Sequence, residues 1–407
     1  MLPGSGGGVI RVGDDVRIRR EGLVTMTERK GLKKIVRERM ERTGETYSTA
    51  HRIVGARHPK SLPAGIVAGY SSFGSERHRP SALVRHMLEQ AGVPLSEAMV
   101  CGLGGGVGFL YAVFEYAALP HPLLTIVAQH HPQPWAPAVL GNLGLSYVEQ
   151  HSSSTPAAMT KLRTWLDAGR PVLCTVNRTA LPWHEPGMID VAADPYPVVV
   201  AGIDGDTLYV DDIAERPHEI PTDLFAVAWS GSRKARHPML AINAGERPTP
   251  DLGRAAASAV AVTAAHLSGP VLGNSFDVNM GLRGMTKLAA ELRDQRTKTG
   301  WVRRFGSGVA FEFAMRRIVE CLQREYTAPD ATRPIYADFL AEAARLLPNV
   351  DTDGAAGLFR ASGKHWASMT QRAQNAGVSE VPEIFDALAD HVEAAHDAES
   401  RAVRLLA

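Results

Sequence analysis

Pro197-Val-Val-Val-Ala-Gly-Ile203-Asp-Gly-Asp206-Thr-Leu-Tyr-Val-Asp211 reads as two β-rich runs joined at an Asp-Gly-Asp turn, the signal of an antiparallel hairpin. Just upstream, Pro171-Val-Leu-Cys-Thr-Val176 is a third strand. The text before these strands is helical. Pro80 opens a helix that carries Leu83, Val84, Met87 and Leu88 on one face and ends before Gly92. A second helix has Thr155 as its N-cap and Pro156 at the first position, runs through Met159, Leu162 and Trp165, and stops at Gly169. Helices first and antiparallel strands afterwards predict α+β layering rather than a doubly wound parallel sheet. Beyond Pro248, Ala-rich stretches at 251–267, 284–294, 308–326, 334–347 and 380–405 repeat apolar residues three and four apart, which predicts an all-helical C-terminal part.

The chain has 407 residues with 45% apolar side chains and 44 Lys+Arg against 43 Asp+Glu. That excludes a disordered polar chain, and the length suffices for a large core. The three cysteines, Cys101, Cys174 and Cys321, are widely spaced and make neither a disulfide framework nor a zinc pattern. No apolar run reaches membrane length, and Gly and Arg residues interrupt the N-terminus before a signal core can build. The expectation is a cytoplasmic protein with no membrane contact and no bound metal. Charge is uneven: residues 1–60 hold 14 Lys+Arg and 7 Asp+Glu, the remainder 30 and 36. Residues 1–25 read as a flexible leader, and 26–56 as a basic helical hairpin with Leu32, Ile35, Val36 and Met40 at helical spacing. Two domains are expected after a linker, at 73–245 and 250–407.

Several segments carry a family resemblance: His78 to Gly92, Gly102-Leu-Gly-Gly-Gly-Val-Gly-Phe109-Leu-Tyr111, Gly169-Arg-Pro-Val172, Leu181-Pro182 and Val198 to Asp204. Together they resemble the N-terminal domain of the butirosin biosynthesis protein H family. Gly281 to Leu288, Ile335 to Glu342 and Leu358 to Trp366 resemble the helical domain of unknown function that follows it. The resemblance implies a papain-like, cysteine-peptidase-type α+β domain, then an all-α domain, with the small helical hairpin in front. It also implies a transferase of secondary metabolism that moves an acyl or aminoacyl group from a carrier-protein thioester to an amine. No cofactor is implied beyond an acyl-pantetheine thioester donor. An acyl carrier protein would be the partner, with Arg303-Arg304 and Arg316-Arg317 as a docking patch for that acidic protein.

The same resemblance locates departures. The family opens its first helix with His-Cys, whereas this chain reads His78-Arg79; a His expected before the Val-rich strand is replaced within Asp194-Pro-Tyr-Pro197; the acid survives as Asp211 or Asp212. Neither Arg nor Pro can perform nucleophilic or base chemistry. Three readings follow. In the first, Cys101 or Cys174 has taken over as nucleophile, with His78 or His184 as base and Asp211 orienting it. In the second, the site binds a small anionic ligand without catalysis, using Arg79, Ser81 and the glycines Gly104, Gly105 and Gly106. The third makes residues 26–56 a nucleic-acid-binding head, through Lys33, Lys34, Arg37 and Arg39, on a ligand sensor. The glycine loop lacks the Lys-Ser/Thr ending of a phosphate loop, so close backbone packing is its competing explanation. His130-His131 and Trp183-His184 read as surface or rim residues.

Overall fold

The computed structural model describes residues 62–407, apart from 118, 133–134, 185–194, 232–235 and 244–248. The leader and the basic hairpin therefore lie outside the described residues. Residues 64–407 form one compact unit.

Helix α1 (Arg79–Gln90) begins the unit. His78 is its N-cap residue, and Pro80 enforces the helical φ of the first turn. Seven of its side chains, from Ser81 to Leu88, are buried, as the apolar spacing predicts. It packs against α2 (Glu97–Leu103) and the strand β5 described below. The Ser96 hydroxyl caps α2 by accepting the Met99 N–H.

Strands β1 (Val107–Phe114) and β2 (Leu123–Gln129) pair antiparallel as a separate hairpin. After α3 (Trp135–Asn142), β3 (Tyr147–Gln150) and α4 (Thr155–Asp167) come β4 (Val172–Val176), β5 (Tyr196–Asp204), β6 (Thr207–Asp211) and β7 (His218–Pro221). Helix α5 (Thr222–Ser230) and β8 (Met239–Ile242) finish this part. The sheet order is β3-β8-β4-β5-β6-β7, every neighbouring pair antiparallel. The expected hairpin is β5–β6, with Asp204 paired to Thr207 across the turn. A helix that opens the unit and packs against an antiparallel sheet is the layout expected of the α+β domain. One boundary differs: Thr155 is the first residue of α4, and its N-cap is Ser154.

The C-terminal part is helical throughout: α6 (Leu252–Ser268), α7 (Gly281–Arg293), α8 (Trp301–Phe305), α9 (Gly308–Gln323), α10 (Arg333–Ala343), α11 (Thr352–Asn375) and α12 (Glu383–Leu406). The longest pair, α11 and α12, pack along one another. Two cores result. One gathers α1, α2, the six-stranded sheet, α6 and α10 around Leu83, Val100, Val199, Trp229 and Phe339. In the other, Phe109, Tyr111, Leu124 and Ile126 of the β1–β2 hairpin enter a cluster with Leu288, Trp301, Phe311, Trp366 and Phe385. The hairpin is thus the part of the N-terminal sequence that enters the helical core. A buried ion pair fixes it there. Arg333 binds Glu399 through two hydrogen bonds of 2.8 Å and also donates to the carbonyls of Gly108 and Ala128. No helix among the described residues is long and apolar enough to cross a membrane.

Candidate functional site

Glu97 of α2 organises the start of α1. Its carboxylate accepts the backbone N–H groups of Glu76, Arg77 and His78, so the chain reaches residue 79 in a fixed direction. Arg79 then projects toward the end of β6. Its Nη1 donates to the carbonyl of Pro197 and, at 3.1 Å, to Oδ1 of Asp212. Its guanidinium carbon lies 3.7 Å from the centre of the Tyr196 ring, within the range of a cation–π contact. Position 79, which the resemblance assigned to the nucleophile, therefore meets Pro197, in the stretch where the base was expected, and Asp212, one of the two candidate acids.

Asp212 is fully buried and saturated. Oδ1 accepts from Arg79 and from the Tyr196 hydroxyl at 2.8 Å; Oδ2 accepts from Trp183 Nε1 and His184 Nε2, each at 2.8 Å. Burial pushes this carboxyl up, but the His184 hydrogen bond and the Arg79 charge prevail and hold it below the usual aspartate value. Tyr196 titrates well above a free phenol, because of its burial and the neighbouring carboxylate, and so remains a donor. Trp183 in turn stacks on His218, with centroids 4.1 Å apart and planes within 10°. His184 keeps 13% of its side chain exposed and Arg79 17%, so both reach the mouth of the site.

Because Asp212 is ionised, the His184 nitrogen facing it must carry hydrogen. Nδ1 is then left as the basic nitrogen. The pair has the base-and-orienter relation of a catalytic dyad. The expected rim residues Trp183 and His184 are thus anchored, and their anchor is Asp212. Asp211 faces away: it accepts from Tyr70 at 2.6 Å, from His86 at 2.7 Å and from the Gly74 N–H at 2.8 Å, in a closed buried cluster. The resemblance left Asp211 and Asp212 as alternatives and the nucleophile reading chose Asp211 as orienter; the orienting contact belongs instead to Asp212, because Asp211 is taken up by Tyr70, Gly74 and His86.

The cysteines lie elsewhere. Cys101 and Cys174 are both fully buried in the main core, and burial drives both thiols far above the ordinary range. Cys101 lies against the Ser81 hydroxyl, and neither thiol makes a hydrogen bond to a histidine among the described residues. Cys321, pushed up to about 11 by burial, lies against Arg317 in α9. Where the sequence pointed to Cys101 or Cys174 as nucleophile, the packing shows small apolar side chains without a base. His78 is buried as well. Its Nε2 meets Gln129 Oε1 at 2.9 Å and its Nδ1 the Ser81 hydroxyl at 2.6 Å. Burial lowers it to about 4, so it is neutral and fully used in fixing α1 to β2. Ser81 is buried beneath it and open to no ligand.

The glycine loop is a packing device. A Cβ at Gly104 would lie 2.5 Å from the Trp135 ring, at Gly105 2.4 Å from His130, and at Gly106 2.1 Å from Tyr336. Aromatic rings occupy the space that a bound anion would need. His130 is buried against His266. In the proposed basic patch, Arg304 pairs with Glu291, and Arg317, 5% exposed, pairs with Glu320 and Glu325. Only Arg303 and Arg316 of those four lack an ion-pair partner among the described residues.

Two family models match the chain. Residues 78–213 match the model of the N-terminal domain of butirosin biosynthesis protein H. Residues 228–406 match a domain of unknown function, DUF4872. The chain thus carries a domain like the N-terminal one of butirosin biosynthesis protein H, followed by a DUF4872 domain. It is also similar to the crystal structure of a C39-like peptidase from Bacillus anthracis, at 15% identity and a TM-score of 0.30, over 44% of this chain and 98% of that one. No curated protein matches. Within this butirosin-H-like chain, residues Arg79 and Pro197 are the departures, and the His184–Asp212 pair is the feature that sequence reasoning reached only in part. Its two members stand 28 positions apart, with no motif between them.

Proposed function

We propose that this protein is an acyl transferase that works without an acyl-enzyme intermediate, using His184 as general base. The observation that carries this reading is the 2.8 Å contact between His184 Nε2 and ionised Asp212, beside a guanidinium that stands where a nucleophile would. Nδ1 of His184 takes a proton from an amine as its nitrogen bonds to the carbonyl carbon of an acyl thioester. The resulting oxyanion sits near Arg79, whose Nε and Nη2 have no partner among the described residues and which is a fixed cation. Collapse breaks the C–S bond, and the departing thiolate regains the proton from His184. Amide and thiol are the products. The deep burial and raised pKa of Cys101 and Cys174 favour this direct transfer over a thioester-linked intermediate.

The test is incubation with a simple acyl-pantetheine thioester and a panel of primary amines, followed by intact-protein mass spectrometry and amide analysis. Amide should form with no mass added to the protein. His184→Gln should slow it by roughly 10²- to 10⁴-fold, the usual contribution of a general base. An acyl adduct that disappears in Cys101→Ala or Cys174→Ala would overturn the mechanism. The absence of amide with every amine, in protein of native melting behaviour, would overturn the transfer reading in favour of ligand binding alone.

A further inference from the structure

Among the described residues, the site holds one more cation than Asp212 can match. Arg178, in the single 3-10 turn Arg178–Ala180 that follows β4, is half-buried and places its guanidinium carbon 5.8 Å from the centre of the Tyr196 ring. That ring already carries Arg79 at 3.7 Å. Arg79 has Asp212 as counter-ion. Asp212 has no capacity left, since its two oxygens already accept four donors. Arg178 makes no ion pair or side-chain hydrogen bond among the described residues. A second loose end lies on the same network. His218 Nε2 is buried without a hydrogen-bond partner, and the His218 ring stacks on Trp183, itself a donor to Asp212. A guanidinium without a counter-ion among the described residues, beside an aromatic ring that also carries Arg79, has the character of a carboxylate-binding corner.

We infer that the amine acceptor carries a carboxylate, and that Arg178 recognises it. Arg79 is less suited to that task, because it shares its charge with Asp212 and its remaining N–H groups are assigned to the oxyanion. The anion held by Arg178 would orient the acceptor's amine at the mouth of the site shared by His184 and Arg79. This inference rests on the reading of the pocket as the acceptor site, but it concerns binding and is measured without turnover.

The probes are 3-aminobenzoate and its neutral isostere 3-aminobenzamide, titrated by calorimetry or by tryptophan fluorescence. An aniline nitrogen is uncharged at neutral pH, so the carboxylate is the only charge that distinguishes the two. The native protein should bind the carboxylate about tenfold or more tightly than the amide, the scale of one charge-assisted contact. Arg178→Gln should reduce this preference to within about twofold, and Arg178→Lys should retain part of it. Thermal melting confirms that each variant is folded. No preference in the native protein, or an undiminished preference in Arg178→Gln, would overturn the inference. His184→Gln separates it from the transfer reading: that variant should keep the preference. A carboxylate preference that depends on Arg178 but is unaccompanied by amide formation would sustain the anion site and count against catalysis alone.

Discussion

Replacing Asp212 with Asn tests the centre of the site, because the change keeps the shape and removes the charge. In one orientation the new amide NH2 faces Trp183 Nε1 and His184 Nε2; the indole can only donate, so its bond is lost. His184 can adapt by exchanging tautomers, but its lone pair then points at the amide and its proton at the substrate. In the other orientation the NH2 faces Arg79 and Tyr196, and the guanidinium keeps only the Pro197 carbonyl as acceptor. One charged hydrogen bond contributes about 1.5–3 kcal/mol. The side chain of Arg79 is 17% exposed, so water offsets part of the lost ion pair, and the total expected at neutral pH is about 2–4 kcal/mol. The pH dependence has a definite sign. The native carboxyl titrates below the ordinary aspartate value of 3.8, so its stabilising effect is complete above that value and is lost as pH falls through the lower native one. Urea unfolding of both proteins at pH 7, 5, 4 and 3 should give a constant difference down to about pH 5 that shrinks below pH 4. Amide formation should fall by about 10³- to 10⁴-fold, the effect of tautomer reversal in Ser-His-Asp enzymes. A difference under about 0.5 kcal/mol at pH 7, or one that grows in acid, would refute the description of Asp212 as an ionised anchor.

Two further expectations concern the frame around the site. Arg333→Met leaves Glu399 buried with only Ser362 and Trp366 as donors, and urea unfolding should show a loss of about 3–5 kcal/mol. Adding Glu399→Leu should restore part of that loss, and a double variant weaker than the single would contradict the ion-pair account. Gly106→Ala meets both a φ of +58° and the Tyr336 ring 2.1 Å away, so about 2–4 kcal/mol should be lost. Tyr336→Leu in the same chain should recover the steric part only; complete recovery would show that the backbone angle is unimportant.

What the sequence discloses depends on how local the determining physics is. Helix α1 is legible because one turn of Pro and an apolar stripe decide it. The β5–β6 hairpin is legible from its turn. Helix α11 escapes the periodicity reading because its buried side is built largely of small residues, including Ala355, Ala356, Ser362 and Gly363, which carry little hydrophobic contrast. A Cβ at Gly363 would press on the Pro334 ring at 3.2 Å. Strands β1 and β2 are also hidden, since both faces of the hairpin are covered and no alternation survives. Adjacent strand residues face opposite ways, so only one of Asp211 and Asp212 can meet Arg79. Both faces of β6 are buried, which removes the pattern that would have chosen between them. The two thiols carry no sequence mark of their burial.

The arginine at position 79 and the surviving acid explain one another. A fully buried carboxylate without partners is costly, so loss of the base at position 197 would favour loss of Asp212 as well. Instead four donors from three separate segments converge on it: Arg79 from the start of α1, Trp183 and His184 from the stretch after β4, and Tyr196 from β5. Hydrogen bonding alone would be met by Tyr196 and Trp183. The imidazole adds a basic nitrogen at the mouth, and the guanidinium adds fixed positive charge. Both also hold the buried carboxyl below the ordinary aspartate value. Both are groups that direct acyl transfer uses, and their convergence on one anchor is the reason to look for chemistry in a site that has exchanged its thiol for a cation.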